Sequence, residues 1–307
     1  MLTFQRSFAD GSGLGAIIAD KLQRRCDVVN RGFSGYNTNL AKIILPQVFT
    51  KENLENVAGM VIMLGSNDAA LKEDFKLNQH VPLVEYRKNL EDIVSYLTAH
   101  GLPKERIILV SPPPIDYDRW NVVCATELGR AFERANIDQY AHAVYEVAKA
   151  QGTLFGDLYE RMTTGRDWKS DLNDGLHLGR GGAAVFVDVL WPIIERLLKP
   201  YPQVYPTWTD IDFRNPSLPP YLQLSFSEGC ALGATLADKL QRRCDVVNRG
   251  FAGYNTNLAK LILPQVFTNE TLENVAGMII MFGSNDSALK EDHEWNMHVP
   301  LAEYWEN

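Results

Sequence analysis

The sequence predicts an α/β protein in which a parallel sheet is wound by helices on both faces, as one nearly whole copy followed by a partial second one. Two observations carry this. Short apolar runs alternate with longer stretches of helical period from residue 27 to residue 198. That is the pattern of strands joined by crossover helices, which build parallel sheets buried on both faces. A constant offset of 218 also relates residues 5–89 to residues 223–307, and within 20–50 and 238–268 only Ser34/Ala252 and Ile43/Leu261 differ. Repeats this close look like a recent tandem duplication, or two neighbouring genes joined into one, rather than the diverged units of a solenoid.

In order, residues 27–30 read as a short strand and 37–48 as a helix. Residues 58–64 (AGMVIML) read as a buried strand running into Gly65-Ser66-Asn67-Asp68. Residues 82–100 form the clearest helix, because Tyr86, Leu90, Ile93, Val94 and Leu97 fall on one stripe. Pro82 suits its first turn and Gly101 its end. A strand over 106–110, a long helix over about 121–151, a short strand over 153–155 and a last helix over 183–198 complete the first copy. Residues 200–222 carry six prolines; proline fixes φ and removes donors, so this stretch reads as a linker. The expected division is a domain over 1–199, a Pro-rich linker over 200–222 and a truncated second copy over 223–307.

Bulk properties narrow the function. A net charge of -8 argues against a nucleic-acid grip, which needs clustered Lys and Arg. No segment has the roughly 18–20 uninterrupted apolar residues of a membrane span, and the first fifteen residues do not read as a signal peptide. Cys26, Cys124, Cys230 and Cys244 show no metal spacing and read as free thiols, so a reducing, cytoplasmic location is expected. Gly11-Ser12-Gly13-Leu14-Gly15 lacks the preceding strand and glycine spacing of a dinucleotide fingerprint.

Three blocks at strand ends carry the chemistry: 30–37 (NRGFSGYN), 65–68 (GSND) and 174–178 (DGLHL). Singly each is a common turn or polar loop; in this order and separation they are specific. The first copy, including 30–38 (NRGFSGYNT), 80–83 (HVPL) and 174–178, resembles the SGNH (GDSL-type) ester hydrolases, and more closely their isoamyl acetate-hydrolysing esterase type.

The resemblance implies a flavodoxin-like, doubly wound sheet. It implies hydrolysis of small esters such as acetate esters, with no metal and no cofactor. His177 would be the general base and Asp174 its orienting carboxylate. The Gly35 backbone N–H and the Asn67 side-chain amide would be oxyanion donors, with Gly253 and Asn285 their remnants in the second copy. His80, His100 and His142 read as surface or helix-end residues.

The family's first strand, ending in Gly-Asp-Ser, has no counterpart. Counting back from Gln5, the serine falls near Leu2, and in the second copy the same place holds Pro219-Pro220-Tyr221-Leu222. Ser7 and Ser225 match a later family position. The expectation is a sheet lacking its first, central strand, no nucleophile, and a first exon left out of both copies. Three readings stay open: a truncated carboxylesterase, a non-catalytic protein that keeps the ester pocket, and an assembly self-associating through exposed sheet edges.

Overall fold

The computed structural model describes residues 14–22, 25–70, 79–127, 129, 137–165, 167–201, 247, 254–267, 272–273, 275–287 and 298–306. The chain divides into two compact units, one spanning Met1–Asp20, Val28–Pro200 and Gly229–Val247, the other Lys21–Asp27, Tyr201–Glu228 and Asn248–Asn307.

In the first unit, β1 (Met60–Met63), β2 (Ile107–Val110) and β3 (Leu154–Gly156) form a parallel sheet in the order β1-β2-β3. Met60 lies opposite Ile107, and Ile108 opposite Leu154. Parallel strands need crossovers, and helices supply them. α1 (Leu14–Lys21), α2 (Thr38–Val48) and α3 (Lys51–Leu54) precede β1. α4 (Leu83–Ala99) joins β1 to β2, α5 (Tyr117–Glu127) and α6 (Ile137–Gln151) join β2 to β3, and α7 (Leu158–Thr163) and α8 (Arg180–Leu198) follow.

Alternation along each strand sends side chains to two faces. Met60, Ile62, Ile107 and Leu109 join one core cluster with Tyr86, Leu90, Ile93 and Leu97 of α4 and with Tyr140 and Val144 of α6. Val61, Met63, Ile108 and Val110 point the other way and are equally buried. α8 covers that face: a Cβ on Gly156 would lie 3.2 Å from Val189, and one on Gly59 would lie 3.2 Å from Leu197. The sheet is thus buried on both faces, as its all-apolar strands require.

α4 follows the stripe read from the sequence, with Tyr86, Leu90, Ile93, Val94 and Leu97 buried. Beyond its end the Leu97 carbonyl accepts both the His100 N–H at 3.2 Å and the Leu102 N–H at 3.0 Å, a closure of the kind that satisfies last-turn carbonyls. α2 starts one residue after its cap, where the Asn37 side chain accepts the Leu40 N–H at 3.0 Å.

Two elements differ from the expectation. Residues 27–30 form no strand: two valines alone do not make one, because a strand exists only as part of a ladder. The long helix over 121–151 is two helices, α5 and α6, and α5 begins earlier, at Tyr117. Gly129, between them, has φ +64, a left-handed conformation that ends an α-helix.

The second unit contains α9 (Thr256–Val266) and α10 (Leu301–Glu306). Residues 278–282, the counterparts of β1 and Leu64, belong to no strand and are exposed.

Candidate active site

The 172–178 loop is built around one carboxylate. Asp174 Oδ1 accepts the backbone N–H groups of Leu176 at 3.0 Å and His177 at 2.8 Å. This local turn is one that Asp forms readily with the residues after it. It folds the ring of His177 back so that Nδ1 meets Asp174 Oδ2 at 2.6 Å. Gly175 makes the turn feasible: its φ is +98, and a Cβ there would stand 2.6 Å from both the Asp116 carbonyl and the Trp120 nitrogen.

The loop is bracketed from outside. Its Gly175 carbonyl accepts the Asp116 N–H at 2.8 Å. Arg119 of α5 donates to the Lys169 carbonyl at 2.8 Å and the Asn173 carbonyl at 2.6 Å. A bridge between Leu172 and Leu178 closes its base. The Trp120 ring meets His177 edge-on, with centroids 5.6 Å apart.

Burial pushes the Asp174 carboxyl up, but the hydrogen bonds and charge of His177 and the Leu176 N–H outweigh it and hold its pKa at about 2. Asp174 is therefore ionised at neutral pH. With Nδ1 committed to this carboxylate, Nε2 is the nitrogen left to take and return a proton.

The second cluster joins Gly35 to Asn67. Asn67 lies in the turn after β1 and donates Nδ2 to the Tyr36 carbonyl at 2.8 Å. Gly35 has φ +79, and its carbonyl accepts the Gln79 side-chain amide at 2.8 Å. Asn37 Nδ2 donates to the Gln79 carbonyl at 2.9 Å. Residues 35–37 are therefore strapped from both sides, and the Asn67 amide retains a second N–H for another acceptor.

Asp68 ties the same two loops together from beneath. Its Oδ1 accepts the Thr38 N–H at 2.9 Å and the Thr38 hydroxyl at 2.5 Å, and that hydroxyl accepts Asn89 Nδ2 at 2.9 Å. Oδ2 is buried with no hydrogen-bond partner. Burial pushes the Asp68 carboxyl up to about 6, against the Thr38 hydrogen bonds that pull it down, with Glu85 adding to the rise.

A raised folded pKa gives stability that is full below the ordinary carboxylate range and is lost as pH rises through about 6. The loss reaches up to about 3 kcal/mol by neutrality. Asp174, shifted the other way, gives stability that is full above about pH 4 and is lost only as pH falls towards about 2, so it adds no slope above pH 4. Urea midpoints should therefore fall between pH 4.5 and 7.5 in the parent protein, and Asp68→Asn should flatten that slope. An equal slope in both proteins would remove Asp68 as its source.

Both clusters hang from the same end of the sheet. Asn67 is on the loop leaving β1, and the Asp174 turn is bonded to Asp116 on the loop leaving β2. The carboxyl ends of parallel strands are where such sheets bind ligands. His80, His100 and His142 have the mundane partners expected of them: the Ala70 carbonyl, the Tyr96 carbonyl and Glu146. Cys26 and Cys124 form no disulfide among the described residues. No described helix is long and apolar enough to cross a membrane, and no described His, Cys, Asp and Glu side chains group in threes as metal ligands.

The second unit repeats the inner bonds of this arrangement. Thr256 N–H and hydroxyl donate to Asp286 Oδ1 at 2.8 and 2.6 Å, and Asn285 Nδ2 donates to the Tyr254 carbonyl at 2.8 Å. Gly253 lies outside the described residues, as do Ser7, Ser225, Cys230 and Cys244.

The model of the GDSL-like lipase/acylhydrolase family matches residues 5–185, more than half of the chain. The chain belongs to that family. Relatives of this GDSL-type protein include the rat isoamyl acetate-hydrolyzing esterase 1 homolog (Rattus norvegicus), 43% identical over 70% of this chain and 86% of its own length. The human protein of the same name (Homo sapiens) is 42% identical over 70% of this chain and 86% of its own. The isoamyl acetate-hydrolyzing esterase of Saccharomyces cerevisiae is 30% identical over 64% of this chain and 79% of its own. Asp68, Thr38 and Arg119 were not among the residues expected in this GDSL-type site. The repetition of Thr38 and Asp68 as Thr256 and Asp286 was the available signal.

Proposed function

We propose that this GDSL-type protein carries the acid–base and oxyanion half of an acetate-ester hydrolase. The observation that carries the reading is the His177–Asp174 pair, with Nδ1 at 2.6 Å from a carboxylate that two backbone N–H groups also hold. In acyl transfer a serine oxygen attacks the ester carbonyl while His177 Nε2 takes its proton. The tetrahedral oxyanion collects N–H donors from Gly35 and Asn67. His177 then returns the proton to the leaving alcohol, and the same steps with water release the acid. Asp174 fixes the tautomer and supports the imidazolium. This chemistry uses no metal and no cofactor.

No Gly-Asp-Ser occurs in the 307 residues. This supports a chain that is silent in this form and turns over ester once such a strand is supplied. The same absence favours a second reading, a non-catalytic protein that still binds small esters. With the family comes the remaining proposal: a flavodoxin-like, doubly wound order with a further strand beside β1, and a tandem duplication that produced residues 223–307. Four cysteines without metal spacing support a reducing, cytoplasmic setting.

The names of the relatives motivate acetate as the acyl group. In a chain extended with a Gly-Asp-Ser strand, kcat/KM for p-nitrophenyl acetate should exceed that for the octanoate at least tenfold, the scale on which a small acyl pocket discriminates by methylenes. Equal values, or a preference for octanoate, would exclude an acetate-sized pocket while leaving ester hydrolysis intact.

A further inference from the structure

We propose that Gln79 is a positioning residue, which orders the Gly35 N–H for its part as an oxyanion donor. This rests on the reading of Gly35 as such a donor and adds the group that holds it in place. Residues 33–36 make a tight turn, which the Tyr36 N–H closes on the Phe33 carbonyl at 3.3 Å. Gly35, third in that turn, is exposed and has φ +79. It is open to a substrate, but a glycine has little torsional preference of its own. A turn closed by one bond of 3.3 Å therefore leaves that N–H free to swing unless something outside holds it.

The Gln79 side chain supplies that hold. Its Nε2 donates to the Gly35 carbonyl at 2.8 Å and stands 3.7 Å from where a Gly35 Cβ would lie. The next carbonyl along, that of Tyr36, is taken by Asn67 Nδ2 at 2.8 Å. Two successive peptide planes after the donor are thus pinned at their oxygens, and the nearer one is pinned by Gln79. The Gln79 backbone is anchored separately. Its carbonyl accepts Asn37 Nδ2 at 2.9 Å, and two residues on the Val81 N–H meets the Asp68 carbonyl at 3.0 Å. The side chain is not needed to close that loop.

The repeat separates the frame from the clamp. Thr256 N–H bonds Asp286 at 2.8 Å, Asn285 bonds the Tyr254 carbonyl at 2.8 Å, and Asn255 caps its helix by accepting the Leu258 N–H at 3.0 Å. These are the counterparts of the bonds made by Thr38, Asn67 and Asn37. At the position of Gln79, however, the second copy has Met297, whose thioether has no N–H to donate. The frame thus forms with methionine at this position, and what the Gln79 amide adds is confined to Gly35. Catalysis gains from donors that are ordered before the charge develops, so the contribution belongs to the chemical step rather than to folding.

Gln79→Met, which installs the repeat's own residue, tests this in two proteins. In the full 307-residue chain, amide relaxation measured by NMR should give the Gly35 N–H an order parameter of about 0.85 in the parent and below about 0.6 in the variant, with Thr38 and Leu40 unchanged. In the chain extended with a Gly-Asp-Ser strand, Gln79→Met should lower kcat for p-nitrophenyl acetate by about 5–10-fold, the scale of one neutral hydrogen bond, with KM within about twofold. A Gly35 N–H equally rigid in parent and variant overturns the proposal. So does a loss of order that extends to Thr38 and Leu40, which would make Gln79 part of the frame. An active extended protein whose kcat ignores the substitution overturns it too. If the extended protein hydrolyses no ester, the hydrolase reading fails, and the Gly35 relaxation alone still decides whether Gln79 orders that N–H.

Discussion

A strand ending in Gly-Asp-Ser, placed ahead of Gln5, is expected to raise p-nitrophenyl acetate hydrolysis by about 10³-fold or more over the 307-residue chain, and His177→Ala in the extended protein should take that gain away. In the proposed reading Asp174, ionised, and His177, its Nδ1 held at 2.6 Å, form the acid–base pair, and the serine oxygen is the member to be supplied. Removing one member of a serine triad costs nearly as much as removing all of them, because the members act as a unit, and about 10³–10⁴-fold over water remains from binding and the oxyanion donors. Supplying the missing member should therefore restore most of the effect in one step. Asp174→Asn should cost about 10⁴-fold in kcat, since an amide cannot hold the same tautomer or support the imidazolium. Initial rates on the four proteins, with circular dichroism as a check on folding, decide the matter. A folded, extended protein with no gain would mean that His177 is not aimed at the serine site.

Asn67→Ala in that extended protein should lower kcat by about 10²–10³-fold with little change in KM, the signature of a donor used chiefly in the transition state. Part of the effect will be indirect, because Asn67 Nδ2 also secures the Tyr36 carbonyl at 2.8 Å and so the placement of Gly35. The repeat supplies a control. Asn285 makes the same bond to the Tyr254 carbonyl at 2.8 Å in the second copy, whose residues 223–307 contain no Asp-x-x-His. Asn285→Ala should leave kcat within about twofold, as surface changes outside a site usually do. Equal losses from the two substitutions would make the first a matter of general stability and remove Asn67 from the oxyanion site.

Much of this architecture was legible in the sequence because it is written in local periodicity and local hydrogen bonding. The α4 stripe from Tyr86 to Leu97 and the turn from Asp174 to His177 need only neighbours within a few residues, so pattern suffices. Residues 27–30 were misread for the opposite reason: a strand exists only with a ladder partner, which no window of four residues contains. The break between α5 and α6 was hidden because the flanking sequences are both helical in pattern and the left-handed Gly129 is one residue among them. Asp68 escaped notice since its role is set by Thr38, thirty residues earlier, and by its burial. The partners of Arg119 are two carbonyls about fifty residues on, and carbonyls leave no mark in a sequence. The repeat was plain from the sequence, but the exposure of its apolar run at 278–282 depends on what surrounds it in space.

The most direct measurement is labelling by a fluorophosphonate, which needs a nucleophilic serine and a working base but no particular ester. The 307-residue chain should remain unlabelled at neutral pH. The protein extended with Gly-Asp-Ser should take up one equivalent on that serine, and its His177→Ala variant should label at least 100-fold more slowly, the loss expected without the base. Stoichiometric labelling of the 307-residue chain itself would contradict the account. It would place the nucleophile on another serine, with Ser7 the first to examine.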